Sequence, residues 1–373
     1  MWIHGVKGNP IADLASKFQI KSISAPADQS ECLLYDKNAN LISHQLIVRF
    51  RRKFWKKIKN IMTTACAAAQ DISLVSALES FSDELVDSEK DLFKWCMMSP
   101  DLYSGMQADK LSARYWCQNQ VFSGGNHLML NGYSELVDNL AKECNIIFGA
   151  EVKKINYQNN SVKVVTDTNE FEGDAVVVTV PLGVLKQKLI AFDPPLSNAK
   201  QTAIKNLGVA SLIKIALKFS TVFWPADYQI LYLSQPNPFS ISGFINLQYF
   251  YQQPVLVALF GSGKWPNSNQ AQLVEEAIES LQRVFGKNIS SLDDYKVTTW
   301  QEDTFSCGSY SFIPVGASGN EHQVLSEPIQ KSIFFAGDAT SKEYFSSTHG
   351  AYLSGLRAAD QIRAASGASV SYN

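Results

Sequence analysis

Cysteine is scarce in these 373 residues: six in all, with no CxxC pair and no close Cys/His ligand spacing. That pattern excludes the common zinc modules, and no metal site is expected. Scattered thiols suit a reducing compartment, so the cytoplasm is the expected location. No apolar run reaches 18 residues, and no membrane span is expected. The N-terminus shows no leader of a charged stretch followed by an apolar one. The closing Ser371-Tyr372-Asn373 is not a peroxisomal address of the SKL type. Basic and acidic residues nearly balance, 33 against 35, for a net charge of −2. A general nucleic-acid binder needs a broadly basic surface, so no nucleic-acid partner is expected, although a local basic patch remains open. The chain also lacks the G-x-G-x-x-G turn that cradles a dinucleotide diphosphate. Gly261-Ser262-Gly263-Lys264 is followed by Trp265 and has no upstream glycine at P-loop spacing, so it is no substitute.

The composition, 46% hydrophobic and 18% charged, is that of a soluble globular protein with core enough for two or three domains. One late stretch organises it. Ile333 to Ala336 is a short apolar run with the character of a buried strand, and it stops at Gly337-Asp338. A polar and aromatic loop, Ser341 to Ser347, leads into a helix with Leu353, Leu356 and Ala359 at helical spacing. A strand, an acidic residue, a loop and a glycine-bearing helix start bring backbone N–H groups towards an electron-rich ligand. Ordinary crossover turns share this outline.

The wording of the stretch is more specific. Phe334-Phe335-Ala336-Gly337-Asp338-Ala339-Thr340, then Ser347-Thr348-His349-Gly350-Ala351-Tyr352-Leu353-Ser354-Gly355, resembles the closing FAD-binding segment of the flavin amine oxidases, most closely the polyamine and spermine oxidases. Trp2-Ile3-His4-Gly5, with Gly8-Asn9-Pro10, resembles the family's early segment. Val178-Thr179-Val180-Pro181-Leu182-Gly183-Val184-Leu185, ending in Asp193-Pro194-Pro195, resembles its middle one. The resemblance spans most of residues 1–365 and is poor between about 37 and 110.

It implies a mixed α/β chain: a doubly wound FAD-binding domain lacking its first βαβ unit, plus a substrate domain of mixed sheet and helices. The expected boundaries are 1–30, 122–188 and 326–367 for the FAD-binding domain. Residues 31–121 and 189–325 would form the substrate domain, helical first and then sheet. Met1 stands where the family has completed its first βαβ unit. Either the sequence is cut short of that unit or the chain is a degenerate paralogue, and the adenosine diphosphate half of FAD loses its main cradle.

In chain order, Pro10 to Lys17 is a short helix with Leu14 and Ala15 inward. The resemblance runs this region beneath the flavin, with Trp2 at the cofactor and His4 near the substrate amine. A buried histidine satisfied by a backbone carbonyl is the plainer alternative for His4. Leu33 to Asp36 is a strand. Phe50, Phe54, Ile58 and Met62 then repeat every four residues, opposite Arg49, Arg51, Arg52, Lys53, Lys56, Lys57 and Lys59. Such a helix suits a membrane surface, a nucleic acid or, as favoured, the plain surface of a domain. Leu78, Phe81 and Leu85, then Leu92, Phe93 and Trp95, mark further helices with core aromatics. Ser134 is placed to cap a helix from Glu135 to Cys144.

Gly149 to Ile155 begins a strand in which, by resemblance, the Val152 backbone meets the adenine. Ala175 to Val180 is uncharged and reads as a central strand buried on both faces, ending at Pro181 close to the cofactor. Asn159 and Asn288 stand in glycosylation sequons. Ser211 to Phe219 alternates, with Ile213, Ile215, Leu217 and Phe219 on one face and Lys214 and Lys218 on the other. On pattern alone both lysines face solvent. The resemblance singles out Lys214 as the lysine that holds a water against flavin N5, where desolvation lowers its pKa. Val255 to Phe260 continues the sheet, and Gln272 to Phe285 is a helix. Trp300 either packs beside the flavin, as the family implies, or fills core at a strand end.

The implied reaction is oxidation of an amine C–N bond with hydride passing to flavin N5, then imine hydrolysis and reoxidation by O2 to peroxide. Asp338, in place of the commoner Glu, would accept from the ribityl hydroxyls, and the Thr348 N–H would face negative charge on the reduced ring. Ser347 stands where some members carry an aromatic beside the substrate. Three readings compete: an FAD-dependent polyamine oxidase, a histone-lysine demethylase of the same superfamily, and a flavin-free scaffold. The second is placed behind because residues 190–330 lack the sustained heptads of that family's paired-helix insertion. The amine, the bond cut and the oligomeric state are not legible.

Overall fold

Alternation sets the largest sheet. In the computed structural model, which describes residues 2–25, 32–67, 70–158, 161–235, 241, 243–261 and 269–367, the strand Leu212–Phe219 sends Ile213, Ile215, Leu217 and Phe219 into the core. Six strands line up in the order Leu292–Val297, Leu212–Phe219, Val255–Gly261, Gly243–Asn246, Ile230–Leu233 and Cys32–Tyr35. All neighbours are antiparallel except the last pair. The inward face packs on Leu273, Val274, Ala277 and Leu281 of the helix Gln270–Phe285. Asn159 and Ser262 to Lys264 lie outside the described residues.

The opposite face of that sheet carries Lys214 and Ala216. Ala216, Val257 and Leu259 meet Trp2, Ile23, Ala25 and Leu128 there. These last belong to a three-stranded antiparallel sheet in the order Trp2–Ile3, Asn126–Met129, Ser22–Ala25. The N-terminal segment is thereby held over the face bearing Lys214. It continues into the helix Pro10–Lys17, whose Asn9 cap accepts from the Ile11 N–H at 3.0 Å. Ile11 and Ala15 are the buried residues of that helix, and Leu14 is half-buried.

The charged helix is His44–Ala67, and its apolar stripe is core. Ile47, Phe50, Phe54, Ile58 and Ile61 are all buried, Met62 only partly. Burying each such side chain stabilises by roughly 1.5–3 kcal/mol, so the stripe is committed to the interior and the basic side faces out. Leu74–Asp83 and Asp87–Ser104 complete this cluster, with Leu85 buried in the turn between them.

Two expectations are corrected, and a third, the last helix, is present with another face inward. Ser134 does not cap its helix: it is the first helical residue of Ser134–Ala141, Tyr133 holds the cap position, and no side chain bonds there. The run at 175–180 is not a central strand. Val176–Val178 pairs only with Ile333–Phe335, in parallel, among the described residues, and Val176 and Val177 are half-buried. Among the described residues no strand lies on its other side, so its second edge is not enclosed there. In the last helix, Thr348–Ser366, Leu356 and Ala359 are exposed while His349, Gly350, Ser354 and Ala358 are buried. Small residues face inward because the helix lies close against its neighbours: a Cβ at Gly350 would fall 1.9 Å from the Tyr344 carbonyl oxygen.

Candidate active site

The Trp2–Gly5 segment is fixed by side chains distant in sequence. The Gly5 N–H donates to Asn126 Oδ1 at 3.1 Å. Asn9, fully buried, donates through Nδ2 to the carbonyls of His4 at 3.1 Å and Gly5 at 2.9 Å. The Tyr133 hydroxyl donates to the Trp2 carbonyl at 2.7 Å and also bonds the Thr348 side chain. Trp2 sets its ring edge-on to Phe250, centroids 6.2 Å apart. These contacts place His4 beside Asn126, with Lys214 near enough to act on its charge.

His4 is exposed rather than buried, unlike the histidine of the plainer reading. Its side chain bonds Asn126. Protein still surrounds the ring on its other sides, as in a recess. That desolvation, then the positive charge of the chain's amino terminus and, least of the causes, that of Lys214, holds its pKa below the usual histidine value, against the Asn126 bond that raises it. Lys214 is half-buried rather than solvent-facing, and burial lowers its pKa; Lys218, on the same face, is exposed. The Lys214 backbone is clamped by Thr298, whose hydroxyl accepts from its N–H at 2.9 Å and whose N–H donates to its carbonyl at 3.0 Å.

The helix start Ser347–Gly350 lies on the Tyr133 side of this cluster. Ser347 caps the helix, accepting from the Gly350 N–H at 3.0 Å, and Thr348 at the first helical position is exposed. His349 is buried, its ring edge-on to Phe122 and Tyr344, which stack in parallel 5.0 Å apart. Burial, then the charge of His4, brings its pKa down to about 4.

Gly337 and Asp338 follow the buried strand Ile333–Phe335. Gly337 has φ +126, which an L side chain rarely adopts, and a Cβ there would meet nothing within 4 Å. Open space over a glycine backbone is what a bound ligand requires. Asp338 Oδ2 accepts from the Ser311 N–H at 3.0 Å and hydroxyl at 2.8 Å, leaving Oδ1 without a partner among the described residues. The turn is pinned from behind. Arg357 donates to the carbonyls of Phe335 and Thr340 at 2.7 and 2.8 Å, and the Gly337 N–H donates to Ser354 Oγ at 2.7 Å. Buried Lys200 lies 4.2 Å over the Phe335 ring and donates to the Val324 and Leu325 carbonyls; burial lowers its pKa to about 8.

The remaining sequence-expected residues are dispersed. Pro181, exposed, opens the short helix Leu182–Lys186. Gly183 packs so near the Trp300 turn that a Cβ would lie 2.4 Å from the Ser306 carbonyl oxygen. Trp300 does not fill core; it is 48% exposed, two residues beyond Thr298 and so beside the Lys214 clamp. Val152 begins the strand Val152–Gln158, paired with Ser161–Thr166, and packs half-buried on the core that holds Leu182, Phe335 and Ala339. Asn126, Tyr133, Phe122 and Tyr344 were not singled out from sequence; their contacts span up to 222 positions, and no local pattern announces them. His349 had a signal, its place inside the Thr-His-Gly helix start. Among the described residues no group of three His, Cys, Asp or Glu is placed to hold a metal, and no helix is long and apolar enough to cross a membrane.

A small-residue helix start, a glycine-acid turn and a half-buried lysine on the sheet face under one N-terminal segment fit an oxidoreductase of the flavin-dependent kind, and the family comparison assigns that class. The chain belongs to the flavin containing amine oxidoreductase family, whose model matches residues 1–363. It is 31% identical over 380 residues to polyamine oxidase 4 of Oryza sativa subsp. japonica, covering 97% of this chain and 77% of that protein. It is 32% identical over 386 residues to polyamine oxidase 2 of Arabidopsis thaliana, with the same coverage. Lysine-specific histone demethylase 1 homolog 2 of Arabidopsis thaliana is also 32% identical, over 381 residues, covering 96% of this chain and 50% of that protein. In fold, the chain is similar to a double mutant of putrescine oxidase, with a TM-score of 0.78, 16% identity, and coverage of 97% of this chain and 87% of that one.

Proposed function

We propose that the protein oxidises the C–N bond of a polyamine, with FAD as cofactor and O2 as electron acceptor. The observation that carries this reading is the half-buried Lys214, its backbone clamped by Thr298, on the sheet face that the N-terminal strand covers and close enough for its charge to act on His4. Similarity to two polyamine oxidases over nearly the whole chain supports the substrate class.

The residues present fit the flavin end of the cofactor: the open Gly337 backbone, the free Asp338 Oδ1, and the Thr348 helix start. The diphosphate end finds no G-x-G-x-x-G within these 373 residues. When bound, the flavin supplies a two-electron acceptor. Asp338 Oδ1 would accept a hydrogen bond from a hydroxyl of the ribityl chain. The Thr348 N–H, at the positive end of its helix, would stabilise negative charge on the bound ring. An amine yields hydride only when neutral. His4, held unprotonated near neutrality, accepts the ammonium proton at a ring nitrogen. Lys214, with its depressed pKa, exchanges a proton with water at Nζ. The aromatic wall of Phe122 and Tyr344 disfavours charged, hydrated groups close by.

Demethylation of a peptide lysine is the second reading, favoured by the 32% identity to a demethylase homologue. Between residues 190 and 330, the longest described helix is Gln270–Phe285, and it packs on the sheet rather than pairing with another helix. Peroxide release from the FAD-reconstituted protein separates the readings. Spermine or spermidine is expected to support it, and Lys214→Met to slow turnover at least about a hundredfold with flavin still bound. Release with methyl-lysine peptide and none with any polyamine would reverse the assignment.

A further inference from the structure

The helix His44–Ala67 holds seven of the 33 lysines and arginines and no acidic residue. The remainder of the chain has 26 basic against 35 acidic residues, so positive charge is concentrated here against an acidic background. Ile47, Phe50, Phe54, Ile58 and Ile61 fix which side is buried. At about 100° per residue, Arg49, Arg52, Lys53, Lys56 and Lys59 fall within about 120° on the opposite side, along about 15 Å. All five are exposed. Among the described residues only Lys53 has an ion pair, with Glu89 at 2.9 Å. Like charges at i, i+3 and i, i+4 oppose the helix, and the fold supplies almost nothing to offset them. An anionic surface outside the protein would.

We propose that this ridge docks the protein, electrostatically and without insertion, on a bilayer that carries anionic lipid. Clusters of this size suffice for adsorption to such a surface. The apolar stripe is spent in the core, so the helix has no face left to enter the acyl region. Trp55, the aromatic next to the ridge on this helix, is half-buried against the core, so the ridge offers no open platform for base stacking.

Vesicle co-sedimentation of the whole chain tests this, using phosphatidylcholine alone and phosphatidylcholine with phosphatidylserine. Binding is expected only to the serine-containing vesicles, and to be lost at about 1 M salt, where screening shortens to about 3 Å. Arg49→Gln, Arg52→Gln, Lys56→Gln and Lys59→Gln together are expected to weaken it at least about a hundredfold, without lowering the melting temperature. The salt series on the unaltered chain gives an independent reading should that variant misfold. Equal binding to neutral vesicles, salt-insensitive binding, or displacement from vesicles by duplex DNA at equal phosphate would overturn the proposal.

Discussion

Gly5 lies so close to Phe122 that a Cβ on the glycine would fall 1.9 Å from the Phe122 carbonyl oxygen. The chain segment carrying His4 is thus pressed against the segment that supplies the aromatic wall, with Gly5 at φ +68. Gly5→Ala should destabilise the protein by at least about 2–3 kcal/mol, combining left-handed strain with a backbone collision. Gly8→Ala shares the positive φ, +76, but meets only the Phe122 ring at 3.9 Å. It should cost about 1 kcal/mol. Urea unfolding of both variants checks the contrast; equal losses would mean that strain alone matters.

Asp338 and Ser311 give a second comparison. Ser311→Ala removes one hydrogen bond to the carboxylate and leaves the backbone one, at a cost of roughly 1.5 kcal/mol. Asp338→Ala removes both and orphans a buried N–H, and should cost more. Flavin retention should follow a different order. Asp338→Ala is expected to weaken it strongly through Oδ1, and Ser311→Ala only slightly. Fluorescence titration with FAD reads this directly.

Acid sensitivity should trace in part to His349. Its pKa is about 4 in the folded protein against 6.5 ordinarily. Between these values the unfolded chain takes up a proton that the folded chain refuses. The stabilisation is complete above pH 6.5 and is lost as pH falls towards 4, at about 1.4 kcal/mol per pH unit. His4, also lowered, contributes with the same sign. Relative to the unaltered chain, His349→Gln should lose less stability between pH 6.5 and 4. Parallel stability curves for the two would contradict the assignment.

What was legible in sequence was short-range. The Ile333–Phe335 strand, the Asn9-Pro10 helix start and the alternation of Leu212–Phe219 are stated by adjacent residues, and they appear as expected. The failures are of another kind. Ser134 has the chemistry of a cap, but Tyr133 is drawn into that position by its bonds to Trp2 and Thr348. The last helix is present as its spacing implies; which face it buries was not stated by that spacing, and neighbouring chain approaches the side where the small residues lie. Pattern alone gave Lys214 and Lys218 the same environment. The Trp2–Ile3 strand laid over one end of that sheet face makes them different. Residues such as Asn126 act across 121 positions, and only the assembled sheets reveal them.

The central claim, a flavin-dependent oxidation of polyamine by this chain, is tested most directly by the visible spectrum of the purified protein reconstituted with FAD, before and after spermine is added without oxygen. The account predicts a bound flavin whose absorbance bleaches on adding spermine and returns on admitting air, with the bleaching greatly slowed by Lys214→Met. A protein that binds FAD but keeps its colour under spermine, or one that binds no FAD, would contradict it.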